Sequence, residues 1–161
     1  MISESALIAR LVLSTIFGSL IGVEREIQDK PAGIRTHAIV CIGACLFTIA
    51  SIEFSGGIAG GLVDPSRVAA GIVTGIGFLG AGAIFRSKDR VEGLTTAADL
   101  WLVAAVGLAV GIGYYFAAFF STIIALFILY SGTLWKRRQE RKKKGKRNNP
   151  GSGIAPNHFS R

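Results

Sequence analysis

Residues 68–85 read VAAGIVTGIGFLGAGAIF and contain no charged side chain. At about 1.5 Å of rise per residue, a helix of this length is about 27 Å long, which approaches the thickness of the hydrocarbon core of a bilayer. A helix on the surface of a soluble protein would show a polar face repeated every 3.6 residues, and this stretch has none. The stretch therefore predicts a helix that crosses a membrane.

Four further stretches are similarly apolar and hold at most one Asp, Glu, Lys or Arg each, namely residues 6–23, 36–54, 94–112 and 114–135. The first has neither a basic start nor a small-residue cleavage site, so we interpret it as a retained span rather than a signal peptide. The last two are separated only by Gly111-Ile-Gly-Tyr-Tyr115, which fits a tight turn or a kink within one long hairpin. With a third span over 65–85, residues 1–135 predict an all-α membrane protein, a bundle of about five transmembrane helices.

Basic residues are concentrated at the C-terminus. Residues 136–161 hold 10 Lys and Arg against one acidic residue, whereas residues 1–135 hold 8 against 9. The net charge of +8 thus belongs to the tail, which excludes a basic globular nucleic-acid-binding fold, and we expect no nucleic-acid partner. We predict that 136–161 is a disordered cytoplasmic tail that contacts anionic lipid.

The loops between the predicted spans show the same bias. Segments 24–35 and 86–93 together hold six Lys and Arg, and with five spans they lie on the same side as the tail. The other side has only Arg10 and Arg67. Because Lys and Arg favour the cytoplasmic side, we predict that the N-terminus is outside and the C-terminus is in the cytoplasm.

Glycine is abundant inside the spans, and three pairs of glycines stand four residues apart. Such spacing lets two helices approach closely in lipid, where packing drives association. We expect span three, which carries the densest glycine run, to be the central helix. That run also matches G-x-G-x-x-G, but its apolar helical context excludes a dinucleotide site. The pairs are Gly18/Gly22, Gly71/Gly75 and Gly107/Gly111, and the packing glycines assigned to span three are Gly71, Gly75, Gly77, Gly80 and Gly82.

Asp99 is an ionisable residue inside a predicted span, and such residues usually face the interior of the bundle. Thr95 and Thr96 share its helix face. The cluster that we predict at this cytoplasmic end comprises Glu24, Arg25, Arg35, His37, Arg86 and Asp99. Three interpretations stay open: a vestibule that handles ions or protons, a regulatory contact site, and an internal network of ion pairs that locks the helices.

On the outer side, Asp64 followed by Pro65 predicts the start of a helix, with Arg67 in its first turn. Arg10 and Glu53 lie at the same level and could form a second network with them. Helix capping and charge pairing are sufficient to explain these residues.

The sequence gives no support for catalysis or for a bound metal. No nucleophile and base occur with supporting context, so we expect no enzyme. The two histidines, His37 and His158, lie far apart, and the acids of segment 24–29 are interleaved with basic residues. We therefore expect neither a metal site nor a cofactor.

Five strings resemble the bacterial MgtC/SapB family: GVER (22–25), AGIRTH (32–37), DPSRVAA (64–70), GIGFLGAG (75–82) and GLTTAA (93–98), the last followed by Leu100-Trp101. The resemblance covers about residues 5–130. It implies an integral inner-membrane protein. Some members are linked to growth at low Mg²⁺ and to survival inside phagocytes, partly by restraining the ATP synthase. The positions that match motif residues are Glu24, Arg25, Arg35, Thr36, His37, Asp64, Arg67, Arg86, Thr95 and Thr96.

The resemblance and the excess of small residues favour a regulator or adaptor linked to Mg²⁺ limitation or membrane energetics. Such a protein would sit in the lipid bilayer and bind a membrane-protein partner or a second copy of itself. One alternative is a small transporter or channel for Mg²⁺ or H⁺ that uses Asp99 and the charged cluster. Another is a lipid-bound scaffold whose basic tail is its main contact. Five thin helices enclose little space, so a pore would need several copies.

Overall fold

The computed structural model describes residues 2–58, 64–87 and 90–147. Five helices follow one another: α1 Glu4–Ile27, α2 Ile34–Glu53, α3 Ser66–Ala83, α4 Leu94–Ile112 and α5 Tyr115–Arg147. A wider π-type turn over Phe54–Ile58 extends α2. Each of the five helices is long and apolar enough to cross a membrane. The predicted all-α bundle of five transmembrane helices is confirmed.

The helices alternate in direction, so the connections fall into two groups. The α1–α2 loop (28–33) and the α3–α4 connection (84–93) lie at one end, which is called the basic end below. The π-type turn, the start of α3 and the α4–α5 turn lie at the opposite end. At that end, Ile2 N donates to Glu53 Oε1 and Arg10 donates to the Gly111 carbonyl, which joins the start of α1 to the ends of α2 and α4.

The central helix is α4, and the expectation that span three would be central is wrong. Half of the apolar window of α4 is buried inside the bundle, against 11% for α3. α4 packs against every other helix, whereas α3 packs mainly on α4. The expectation was based on glycine content. Glycines show that another helix can approach closely, but they do not show which helix does so. The core residues are Phe17, Ile21, Cys41, Cys45, Ile49, Val103, Val106, Val110, Ala118, Ala125 and Leu129.

Two of the three glycine pairs lie at helix crossings. A Cβ added to Gly22 would lie 2.6 Å from the Cα of Ile34, and Gly18 is equally close to α2 one turn earlier. A Cβ on Gly107 would overlap the α2 backbone, and one on Gly111 would lie 2.8 Å from an α2 carbonyl oxygen. Because only glycine permits these distances, α1 and α4 both rest directly on the backbone of α2.

The glycines of α3 face the other way. Nothing lies within 4 Å of a Cβ built on Gly71, Gly75, Gly77 or Gly82. Only Gly80 of the five faces α4, with its added Cβ 3.6 Å from the Cβ of Ala97. Within the described part of one chain these four glycines make no helix contact, so their packing role stays a prediction that needs a second molecule.

The connection between α4 and α5 is a tight turn. Gly113 has a φ of 101°, in the left-handed region that glycine adopts without strain. Its amide donates to the carbonyls of Ala109 and Val110, and the Tyr114 amide donates to Ala109 at 2.8 Å. This pattern ends a helix and reverses the chain. The open choice between a turn and a kink is thus decided, and α4 and α5 are separate spans.

A short antiparallel hairpin connects α3 to α4, and the sequence did not predict it. Its strands are β1 Phe85–Ser87 and β2 Arg90–Glu92, with Arg86 opposite Val91. Gly93 follows with a φ of 88°, and a Cβ there would overlap the carbonyl of Ala83. The hairpin therefore closes directly onto the end of α3. Strands of three residues are too short for alternation to reveal them.

The last helix continues past the membrane-spanning length. The apolar window of α5 ends at Leu134, but its backbone stays helical to Arg147. Within the predicted tail, residues 136–147 are thus helical, and its cytoplasmic placement and its contact with lipid stay predictions. Residues 148–161 lie outside the described part of the chain.

Candidate functional site

Three ionisable side chains meet inside the basic end of the bundle. Arg25, near the end of α1, has a side chain only 5% exposed, and the side chain of Asp99, in the second turn of α4, is 8% exposed. Arg25 Nε lies 3.2 Å from Asp99 Oδ2, and Arg25 Nη1 lies 3.2 Å from Glu24 Oε2. One guanidinium group therefore faces two carboxylates that come from two helices.

A histidine of α2 completes this group. His37 is fully buried, and its Nδ1 lies 3.0 Å from the carbonyl oxygen of Gly33. Because a carbonyl only accepts, Nδ1 carries a proton in this contact, and in the neutral ring Nε2 is then an acceptor. The backbone of His37 lies where α2 crosses α1, because a Cβ built on Gly18 would be 2.7 Å from the His37 carbonyl oxygen. We call Glu24, Arg25, His37 and Asp99 the buried cluster.

The helix crossings explain why these residues meet. Gly18 and Gly22 place the first turn of α2 against the last turns of α1, and Gly107 holds α4 on the same stretch of α2. A larger side chain at any of these positions would separate the helices that carry Arg25 and Asp99. The buried cluster is therefore a consequence of close backbone packing several turns away.

Hydrogen bonding within the buried cluster is incomplete. The two ion-pair contacts of Arg25 have the right distance but lack the alignment of a hydrogen bond. Five buried atoms have no hydrogen-bond partner among the described residues: Glu24 Oε1 and Oε2, Arg25 Nε, His37 Nε2 and Asp99 Oδ2. Buried polar atoms without partners are rare, and each one needs a physical reason.

Other predicted site residues lie elsewhere. Thr96 is buried on the face of α4 that carries Asp99, and its neighbour Thr95 is exposed. Arg35 and Thr36 are exposed at the start of α2, and Arg86 is exposed on β1. The structure thus brings Glu24, Arg25, His37 and Asp99 together and leaves Arg35 and Arg86 outside.

The outer-side positions cap a helix. Asp64 Oδ1 accepts from Ser66 N and Asp64 Oδ2 accepts from Ser66 Oγ, both at 2.8 Å. These two hydrogen bonds hold the pKa of the exposed Asp64 carboxyl below its usual range. Arg67 is exposed, and its amide donates to the Asp64 carbonyl. Both ion pairs found in the described residues involve Arg25, so the second network considered for the outer side is not among them.

Two side chains position helices in ways that the sequence did not predict. Glu26 Oε2 accepts from Ile34 N at 2.9 Å and so caps α2. The signal was available, because Gly33 precedes that helix and has no side chain with which to cap it. Arg10 donates to the Gly111 carbonyl at 2.7 Å and to the Tyr115 hydroxyl at 3.2 Å, which fixes the α4–α5 turn. Long-range bonds of this kind leave no trace in local sequence.

Metal ligation has no support in this geometry. Among residues 2–58, 64–87 and 90–147, no three His, Cys, Asp or Glu side chains are grouped to hold a metal ion. Arg25 occupies the position between the two carboxylates that a cation would otherwise take.

Comparison with known proteins identifies the family. A profile of the MgtC family matches residues 11–138. The chain belongs to the MgtC family. Protein MgtC of Salmonella typhimurium is 44% identical over 119 residues, which are 74% of this chain and 49% of that protein. Protein SapB of Bacillus subtilis is 41% identical over 129 residues, 78% of this chain and 54% of that protein.

An Escherichia coli member of the MgtC family, named "Putative magnesium transporter YhiD", is 42% identical over 128 residues, 76% of this chain and 58% of its own length. The chain spans between about half and three fifths of the length of these relatives. No solved structure matches it. Five apolar helices and membership of the MgtC family make this a multi-pass protein of the bacterial inner membrane.

Proposed function

We propose that this MgtC-family chain is a regulator or adaptor linked to Mg²⁺ limitation or membrane energetics, acting through contact with another membrane protein. The open face of α3 carries the proposal. On that face Gly71, Gly75 and Gly82 have no neighbour within 4 Å, and Phe78 is 82% exposed. On such a face a partner helix can approach the small residues closely and pack against the large aromatic side chain.

The arrangement of the interior agrees with this function. The sides of α1, α2 and α4 that face each other are filled by side chains and by direct backbone contact. A regulator needs an exposed recognition face on a rigid support, and α3 is such a face resting on α4. The names of relatives that mention MgtC and magnesium support the link to Mg²⁺.

A glycine substitution on the open face tests the regulator role. In bacteria lacking their own MgtC-family gene, we expect Gly75→Leu to accumulate normally but to lose both the phenotype at low Mg²⁺ and the copurifying membrane partner. Gly132→Leu on α5 is the matched control, because Gly132 also has no neighbour within 4 Å. A Gly75→Leu protein that keeps partner and phenotype would refute the role of this face.

Ion transport is the second candidate, and the buried cluster favours it. Ionisable side chains inside a membrane protein are costly and often mark ion pathways. The name of the Escherichia coli relative also refers to magnesium transport. In liposomes loaded with a Mg²⁺ or pH indicator, transport requires flux with the wild type and reduced flux with Asp99→Asn. Equal flux in both proteins, or none in either, removes this candidate.

We further propose that the basic end faces the cytoplasm, with the N-terminus outside. Support comes from the Lys and Arg count of the loops and from the odd number of spans. The basic segment that begins at Lys136 would then lie beside the anionic inner leaflet, where each Lys or Arg contributes about 1 kcal/mol of attraction.

A further inference from the structure

The charges of the buried cluster do not balance. Arg25 supplies one positive charge, and Glu24 and Asp99 supply two negative charges when both are ionised. His37 is fully buried, and because burial disfavours the charged form of an imidazole, we count its ring as neutral. Both carboxylates lie 3.2 Å from nitrogen atoms of the same guanidinium, so one positive charge faces both of them. A net negative charge without a counterion is strongly disfavoured in a buried site.

The buried cluster also has too few hydrogen-bond donors for its acceptors. Of the five buried atoms without partners, three are carboxylate oxygens and one is His37 Nε2, and all four are acceptors. Arg25 Nε is the only donor among them. A carboxyl group that gains a proton changes from acceptor only to donor and acceptor. One proton therefore corrects the charge and supplies the missing donor, whereas a water molecule would supply donors and leave the charge unchanged.

The other charged side chains that the structure describes at the basic end are exposed, and on α1 and its loop these are Glu26, Asp29 and Lys30. On α2 the nearest such residue besides His37 is Arg35, which is exposed. The ionisable residue of α3 is Arg67, at the opposite end. Residues 115–134 of α5 have only tyrosines as ionisable groups, and the hairpin residues Arg86, Arg90 and Glu92 are exposed. The balance is thus decided by the residues of the buried cluster itself.

We propose that the buried cluster is a proton-binding site, in which one carboxyl group holds one proton at neutral pH. The proton comes from water at the basic end and is returned there when the pH rises, with no bond formed or broken besides the O–H bond. With the proton bound, Arg25 faces one negative charge and joins α1 to α4 as a neutral unit. Without it, two carboxylates repel each other across that junction.

Infrared difference spectroscopy of the purified full-length protein in lipid nanodiscs tests the proposal directly. We expect the carboxylic C=O band of one protonated carboxyl per chain at neutral pH, sensitive to exchange into D₂O and lost at alkaline pH. Asp99→Asn and Glu24→Gln should each abolish this band, because the single remaining carboxylate is then balanced by Arg25. Glu92→Gln, which removes an exposed carboxylate on β2, should leave the band unchanged.

Two results would overturn the proposal. One is a wild-type protein without a protonated carboxyl at neutral pH. The other is a band that survives in both Asp99→Asn and Glu24→Gln. The two substitutions lie on different helices, so misfolding of one, detected by gel filtration, leaves the other decisive. The measurement needs no partner and no flux, so its outcome is independent of the regulator and transporter proposals.

Discussion

At the scale of single residues, Arg25 stands out because its charged side chain is buried between two carboxylates. Its guanidinium group is almost completely buried and contacts carboxylates from α1 and α4. A buried ion pair contributes little net stability when intact, because desolvation offsets the attraction. Removing one partner is expensive, because the remaining charges then have no compensation. Arg25 therefore specifies how α1 and α4 fit together more than it strengthens the fold.

We expect Arg25→Leu to lower the free energy of unfolding by about 3–5 kcal/mol, the usual effect of leaving a buried charge unpaired. Arg35→Leu, at an exposed position ten residues later, should change it by no more than about 0.5 kcal/mol. Denaturant-induced unfolding in detergent, followed by circular dichroism, measures both. Equal losses for the two variants would show that the position of Arg25 has no special role.

At the scale of helices, glycines of the same spacing have opposite surroundings. Gly107 allows α4 to touch the backbone of α2, whereas Gly71 faces away from the bundle. A methyl group at Gly107 would overlap α2, whereas one at Gly71 would have no neighbour within 4 Å. Identical substitutions at these two positions therefore separate the effect of packing from the effect of helix propensity.

Gly107→Ala should destabilise the fold by about 1–3 kcal/mol, because the new methyl group forces two backbones apart. Gly71→Ala should be neutral or stabilising by up to about 1 kcal/mol, since alanine is the better helix former and meets no neighbour. Thermal unfolding of the two variants in the same detergent compares them. A loss of stability in Gly71→Ala would mean that α3 already packs against a second copy under these conditions.

At the scale of the whole molecule, α1, α2 and α4 form a compact unit, and α3 and α5 lie against it. Large apolar side chains point outward on both of these helices, as in Phe78 at 82% and Phe116 at 81% exposure. Lipid is the solvent for such surfaces, so their exposure carries no penalty. The alternation of five spans also places every basic loop at one end.

Labelling with a membrane-impermeant thiol reagent checks the proposed orientation. Glu4→Cys should react in intact cells whose outer membrane is permeabilised, and Lys30→Cys should react only after the inner membrane is opened. Both positions are exposed, whereas the native Cys41 and Cys45 are buried and serve as the unlabelled background. The reverse labelling pattern would contradict the rule that Lys and Arg stay in the cytoplasm.

The sequence by itself determined that lipid surrounds the helices, how many spans there are and to which family the chain belongs. Long uncharged stretches such as residues 68–85 report bilayer thickness directly, because length and apolar composition are local properties. The burial of Asp99 also followed from its cost in lipid, and the start of α3 followed from Asp64 and Pro65. The sequence could not decide between a turn and a kink at Gly113, because both use the same residues.

Only the tertiary structure decided which helix is central and which charges meet. Glycine pairs at 18/22, 71/75 and 107/111 look alike in sequence, yet α2 contacts the first and the third and leaves the second free. Arg25 contacts Asp99, whereas Arg35 and Arg86 are exposed. The rotation of each helix about its axis decides which of its side chains face inward. That rotation is set by contacts between residues far apart in the chain, so no local pattern contains it.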